Sequence, residues 1–128
     1  YTKSKVVSEN IKWNRNIKSK KIRALIVNSK NANCLTGAKG YNSLKEIAEE
    51  AAKQLSEKQK NDEDRPQKIK FNEILFGCTG TIGETYPVNK IKNSIKILVD
   101  KIHQIFHVLE LRRKKTFLLI DFVKDLKV

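Results

Sequence analysis

The side chains of this 128-residue chain that are able to do chemistry gather in two short stretches. Residues 28 to 37 read NSKNANCLTG directly after the apolar run ALIV, and residues 77 to 84 read GCTGTIGE directly after ILF. In the first, Asn28, Asn31 and Asn33 carry carboxamides that can either satisfy backbone groups inside a tight buried turn or line a pocket, and Thr36 and Gly37 complete the same loop. The residue types alone leave both uses open. In the second, Gly77, Gly80 and Gly83 allow backbone conformations and close approaches that a Cβ forbids, and Thr79 supplies a hydroxyl.

Other arrangements carry less. TGAKG, residues 36 to 40, has the residue types of a phosphate loop without the G-x-x-x-x-G-K-[ST] spacing that aims amides and a lysine at a nucleotide, and it is set aside. Cys34 and Cys78 are the two cysteines; so far apart, they offer neither a metal spacing nor a disulfide framework, and buried free thiols in a reducing compartment are expected. His103 and His107 stand four apart in a predicted helix, but no carboxylate or cysteine completes a ligand set, so neither a metal nor a cofactor is expected.

A formal charge of +13 and a pI near 9.8 raise nucleic acid or an anionic membrane as partners, because cationic surfaces release counterions from phosphate. The distribution argues against it. Lys12, Lys18, Lys20, Lys21, Lys68, Lys70, Lys90 and Lys92 are spread over every segment and outnumber the arginines, which are better suited to bidentate phosphate recognition. Trp13, Tyr41 and Phe71 do not alternate with them as stacking platforms would. A lysine-rich solvated surface is the expectation, and a small basic RNA-binding or interaction protein is the alternative. No window approaches the roughly eighteen apolar residues of a membrane span, and YTKSKVVSENIKW lacks the zones of a signal peptide, so a soluble cytoplasmic protein is expected. The first residue is Tyr1 rather than Met, which fits a piece of a longer chain.

The elements that must position the two loops follow from periodicity. RALIV, residues 23 to 27, reads as a short buried strand, and roughly Glu73 to Phe76 as another. Between them Ser43 and Glu46 form an S-x-x-E capping box, predicting a helix from Ser43 to about Lys58 with Leu44, Ile47, Ala48, Ala51 and Leu55 on one face. Residues 59 to 70, which include Pro66 and have no apolar period, read as a solvent loop. Pro87 and Val88 open a second helix with Ile91, Ile95, Leu98, Ile102 and Phe106 on one stripe. A further strand is expected around Lys5 to Val7, while TFLLIDFV in the tail reads equally as strand or helix. Strand, loop, helix, strand, loop, helix predicts an α/β layered sheet with helices packed on it.

RALIVNSKNANCLTGAKG resembles the stretch A-[IV]-V-V-N-S-G-N-A-N-A-C-T-G of the bifunctional ornithine acetyltransferase and glutamate N-acetyltransferase family of arginine biosynthesis. ILFGCTGTIGETYPVNKI resembles the second signature of that family, an apolar strand followed by S-T-G-V-I-G-x-x-L-P-M-x-K-I, and YTKSKVVSENIKW is similar to its F-T-x-N-x-V-x-A-A-P-V segment. The resemblance covers residues 1 to 100, and neither loop is a common turn motif. It implies a partial αββα-type sandwich and acyl transfer: an N-terminal threonine released by autoproteolysis takes the acetyl group of N-acetylornithine and passes it to glutamate. Thr79 and Gly80 fall on the T-G pair whose threonine side chain and glycine amide form the oxyanion hole.

Lys30 stands where the family has glycine, which would add strain of about 1 kcal/mol if the backbone there were left-handed. Cys34 and Leu35 replace its A-C. After Lys101 the chain no longer resembles the family, which divides it into an acetyltransferase-like segment, 1 to 100, and a basic and apolar tail, 101 to 128. The A-T-M-L context of the self-cleavage site is absent from these residues, since Thr2, Thr36, Thr79, Thr81, Thr85 and Thr116 all lack it. Cys78 has no evident activating histidine to serve as a substitute nucleophile. The expectation is a fragment of the α portion that carries the oxyanion half of the site, is inactive alone, and needs a complementing β chain in a hetero-oligomer. If the lysines are only a solvated surface, RNA binding measured by fluorescence anisotropy will be weak, with Kd in the roughly 1–100 μM range at physiological salt, and will fall steeply as salt rises; a tight, salt-resistant complex would contradict this.

Overall fold

The computed structural model describes residues 5–59, 68–108 and 118–121, with side chains for 5–58 and 68–101. Its elements are α1 (Glu9–Asn16), β1 (Ala24–Asn28), α2 (Gly37–Gln59), a 3-10 turn (Phe71–Glu73), β2 (Ile74–Cys78), α3 (Val88–Val108) and β3 (Leu118–Asp121). This is the expected α/β arrangement of helices on a parallel sheet.

β1 is the central strand. It pairs in parallel with β2, from Ala24 opposite Ile74 to Asn28 opposite Cys78, and on its other side with β3, from Ala24 opposite Leu118 to Val27 opposite Asp121. The β2-β1-β3 order means that the connection leaving β2 crosses over β1, as parallel pairing requires a helix-length crossover. The ambiguous tail segment is therefore strand over Leu118–Asp121. Along β1 and β2 the side chains alternate, with Ala24, Ile26, Ile74 and Phe76 buried on the helix side and Leu25, Val27 and Leu75 half-buried on the other.

The helix layer is made by α2 and α3. Leu44, Ile47, Ala48 and Ala51 of α2 and Ile91, Ile95 and Val99 of α3 are buried, with Leu55 and Leu98 packed at the margin. Each fully buried aliphatic side chain contributes about 1.5–3 kcal/mol. Ile102 and Phe106 belong to α3, but their side chains lie outside those described. Exposed ion pairs Glu46–Lys92 (3.2 Å) and Lys58–Asp100 (2.6 Å) link the two helices in the same order along both, so the helices run in one direction.

Three sequence expectations are corrected. α2 begins at Gly37, six residues before the capping box: the Gly40 N–H reaches back to the Thr36 carbonyl, and Ser43 Oγ donates to the Lys39 carbonyl (2.9 Å) from within the helix. Residues 5 to 7 are not a strand; Ser8 is the N-cap of α1, and Val6 is exposed. Finally, Ile69, assigned to the solvent loop, is buried, its N–H held by Ser56 Oγ (2.9 Å), while residues 60–67 of that loop lie outside those described.

α1 covers the outer edge of β2. Trp13 Nε1 donates to the Ile74 carbonyl (2.9 Å), and the Asn14 carboxamide donates to the Phe76 carbonyl (2.8 Å) while accepting the Phe76 N–H (3.0 Å). A side-chain amide thus replaces a neighbouring strand on an edge that would otherwise invite pairing with another chain. Trp13 packs against Tyr41, Phe71 and Phe76 at centroid distances of 5.5, 6.2 and 5.8 Å. Because two partly buried backbone groups lose their partner together, Asn14→Ala should destabilise the fold by roughly 1–3 kcal/mol in urea titration; an unchanged midpoint would show that the edge is solvated instead.

Candidate functional site

The pairing of β1 with β2 does not stop where the strands end. Thr79 N–H donates to the Asn28 carbonyl (2.9 Å), Thr81 N–H to the Lys30 carbonyl (2.8 Å), Ala32 N–H to the Thr81 carbonyl (2.9 Å) and Gly83 N–H to the Cys34 carbonyl (2.8 Å). Asn31 and Thr81 form a parallel bridge. The two polar loops lie side by side beyond the carboxyl ends of their strands, where ligands bind in open parallel sheets.

Gly80 is required by this contact. It has φ +128°, and a Cβ there would collide with the Lys30 carbonyl group. The Thr79 N–H is spent on the sheet, but among the described residues the Thr79 hydroxyl and the Gly80 N–H have no hydrogen-bond partner, and both residues are exposed. Two adjacent donors therefore face outward from a turn whose backbone is fixed from behind. That arrangement is suited to an oxygen carrying developing negative charge.

The asparagine loop supplies the fixing. Asn28 Nδ2 donates to the Asn31 carbonyl (2.9 Å) and closes the turn between them, while Asn31 Nδ2 donates to Glu84 Oε2 (3.2 Å) across the loops. Asn33 is fully buried with φ +51°; its amide donates to the Gly40 carbonyl (3.2 Å), its Oδ1 accepts the Thr36 hydroxyl (2.7 Å), and its own carbonyl accepts the Glu9 N–H (2.9 Å). One residue joins α1, through its backbone carbonyl, to the loop and the first turn of α2, through its carboxamide. Asn is among the few non-glycine residues that tolerate this backbone. Leu35 also has positive φ (+59°), while Lys30 does not, so the strain considered for Lys30 does not arise.

Behind the turn sit Cys78 and Tyr86. The buried Tyr86 hydroxyl donates to Cys78 Sγ. Burial pushes the Cys78 thiol up to about 11, against a smaller lowering by the Tyr86 hydroxyl. Burial first, then the nearby Cys78 charge and the hydrogen bond to it, raise the Tyr86 phenol well above its ordinary range, with the Asn28 side chain acting in the opposite sense. Burial thus favours the neutral thiol, and a neutral thiol is a poor nucleophile.

A model of the ArgJ family matches residues 1–120. The chain belongs to the ArgJ family. It is 35% identical over 80 residues to the arginine biosynthesis bifunctional protein ArgJ of Oceanobacillus iheyensis, covering 62% of this chain and 17% of that protein. With the glutamate N-acetyltransferase of Methanothermobacter thermautotrophicus it shares 31% identity over 93 residues, 72% of this chain and 20% of that one. The crystal structure of ornithine acetyltransferase from Mycobacterium tuberculosis in complex with ornithine superposes with TM-score 0.69 at 25% identity, over 79% of this chain and 49% of the other. ArgJ from Bacillus halodurans gives TM-score 0.61 at 28% identity, over 75% and 45%. The chain thus spans 17% to 20% of the length of these two curated relatives.

Of the residues singled out from sequence, Thr79, Gly80, Asn28 and Asn31 come together at the paired loops. Asn33, Thr36 and Gly37 instead anchor the start of α2, the structural use of an asparagine loop that the sequence left open. Tyr86 was missed, because a tyrosine before a proline in a polar linker carries no periodic signal. The His103 and His107 side chains lie outside those described, and among the described residues no three His, Cys, Asp or Glu side chains are grouped to hold a metal. No described helix is long and apolar enough to cross a membrane.

Since a Cβ at position 80 meets backbone rather than a movable side chain, Gly80→Ala should lower stability by roughly 1–3 kcal/mol in thermal or urea unfolding. A neutral outcome would mean the two loops are not in contact as described.

Proposed function

We propose that this chain supplies the oxyanion hole of an acetyltransferase that moves an acetyl group from N-acetylornithine to glutamate in arginine biosynthesis. The observation that carries the reading is the pair of exposed donors, Thr79 Oγ–H and Gly80 N–H, unpartnered among the described residues and held at the end of β2 by the 28–34 loop. A complementing β chain brings the N-terminal threonine that these residues lack. Its hydroxyl attacks the acetyl carbonyl, its own amine takes the proton, and the carbonyl oxygen becomes an anion between the two donors. As that intermediate collapses, the amine returns the proton to the leaving nitrogen, ornithine departs, and an acetyl ester is left on the threonine. Attack by the glutamate amine passes through a second oxyanion at the same place and regenerates the hydroxyl.

Several features support this reading. The relatives named above include a glutamate N-acetyltransferase and an ornithine acetyltransferase holding ornithine. Donors fixed by backbone hydrogen bonds need no reorganisation when charge develops, and each is worth about 3 to 4 kcal/mol in such sites. The reaction belongs to the cytoplasm, and the working species is a hetero-oligomer of the two chains.

The test combines the chain with N-acetylornithine and glutamate, with and without a β chain from an ArgJ relative. Turnover is expected only with the β chain, and Thr79→Ala should then lower kcat by roughly 100-fold with KM little changed. Acetyl transfer by this chain alone would refute the proposal.

A further inference from the structure

We propose that Tyr86 is a positioning residue for the Thr79–Gly80 turn, its phenol tying the end of β2 to the start of α3 directly behind the two donors. The inference rests on the acyl-transfer reading of that turn. Tyr86 lies between exposed Gly83 and Glu84 on one side and exposed Pro87 on the other, yet is itself only 6% exposed. Its hydroxyl donates to Cys78 Sγ, and Cys78 immediately precedes Thr79 and pairs with Asn28 across the sheet. The same residue is clamped from the other side, because its carbonyl accepts the Val88 N–H (2.9 Å) at the first residue of α3. The side chain of Tyr86 therefore contacts the last residue of β2, while its backbone carbonyl contacts the first residue of α3.

The linkage bears on aim rather than on mere folding. The Thr79 N–H reaches the Asn28 carbonyl and the Thr81 N–H reaches the Lys30 carbonyl, but the Gly80 N–H between them has no partner among the described residues. Its direction depends on where the peptide on its N-terminal side is held, and Cys78 is the last side chain before it with an internal contact. Misplacing catalytic donors by about 1 Å can lower turnover by about 100-fold. Burial keeps both groups neutral, so the contact is an uncharged hydrogen bond from the phenol to the sulfur.

The experiment uses the full chain, ¹⁵N-labelled for amide spectra and combined with the β chain for kinetics. Tyr86→Phe keeps the ring and deletes the hydroxyl. It should shift the Gly80 amide resonance and lower kcat by about tenfold at unchanged KM, with the folded fraction matched to wild type by circular dichroism. Should Tyr86→Phe not fold, Cys78→Ala, which removes the sulfur acceptor and keeps the phenol, should shift the same Gly80 resonance. An unmoved Gly80 amide with unchanged kcat, or activity lost only in proportion to the folded fraction, would overturn the proposal. If the wild-type pair of chains transfers no acetyl group, the acyl-transfer reading fails by itself, and the Gly80 resonance alone decides whether Tyr86 positions the turn.

Discussion

Backbone pairing between β1 and β2 that continues past both strand ends is the constraint on which the rest of this structure depends. From Asn28 opposite Cys78 it runs through the Asn31–Thr81 bridge to the Cys34 carbonyl and Gly83 N–H. A loop otherwise free to move is thereby given the rigidity of a sheet. The geometry tolerates no side chain at position 80, because the Lys30 carbonyl occupies that space. It also leaves two donors pointing outward, since the pairing uses the N–H groups on either side of Gly80 and not its own.

The remaining elements hold that pairing in place from three directions. α1 closes the open edge of β2 through Trp13 and Asn14, so the strand carrying Thr79 has no free edge at Ile74 or Phe76. Asn33 ties the loop to the beginnings of α1 and α2. Tyr86 does the same at the beginning of α3. The α1 contacts join segments about sixty residues apart, those of Asn33 and Tyr86 join neighbouring elements, and each uses a polar atom that would be costly to bury unpaired.

The chemistry left to the site is correspondingly narrow. The Cys78 thiol is adjacent to the turn but shielded and protonated, so it contributes a contact rather than a nucleophile. Thr79 and Gly80 themselves are uncharged, and what the fold gives them is a backbone fixed by pairing with the first loop. The large positive charge of the chain is a property of its surface lysines and does not by itself define a partner.

Local pattern was enough to determine the strand–loop–helix order, the two buried strands, the apolar stripes of α2 and α3 and the identity of the two chemical loops, because burial imposes a period on the sequence and glycine and asparagine mark backbone that other residues avoid. The helix start was misplaced because Ser43 and Glu46 satisfy the local capping pattern equally well inside a helix. What moved the true start to Gly37 was Asn33, whose bond to the Gly40 carbonyl joins residues no local pattern relates. The strand expected around Lys5 to Val7 is absent, and α1, which follows those residues, carried no signal of its own in the sequence; its place is set by Trp13 and Asn14 reaching residues 61 and 62 positions away. TFLLIDFV was undecidable alone, since a short apolar run suits either state, and its pairing with β1 decided it. The residue types of the two loops could thus be read directly, whereas the approach of Gly80 to the Lys30 carbonyl exists only once the fold has brought those distant positions together.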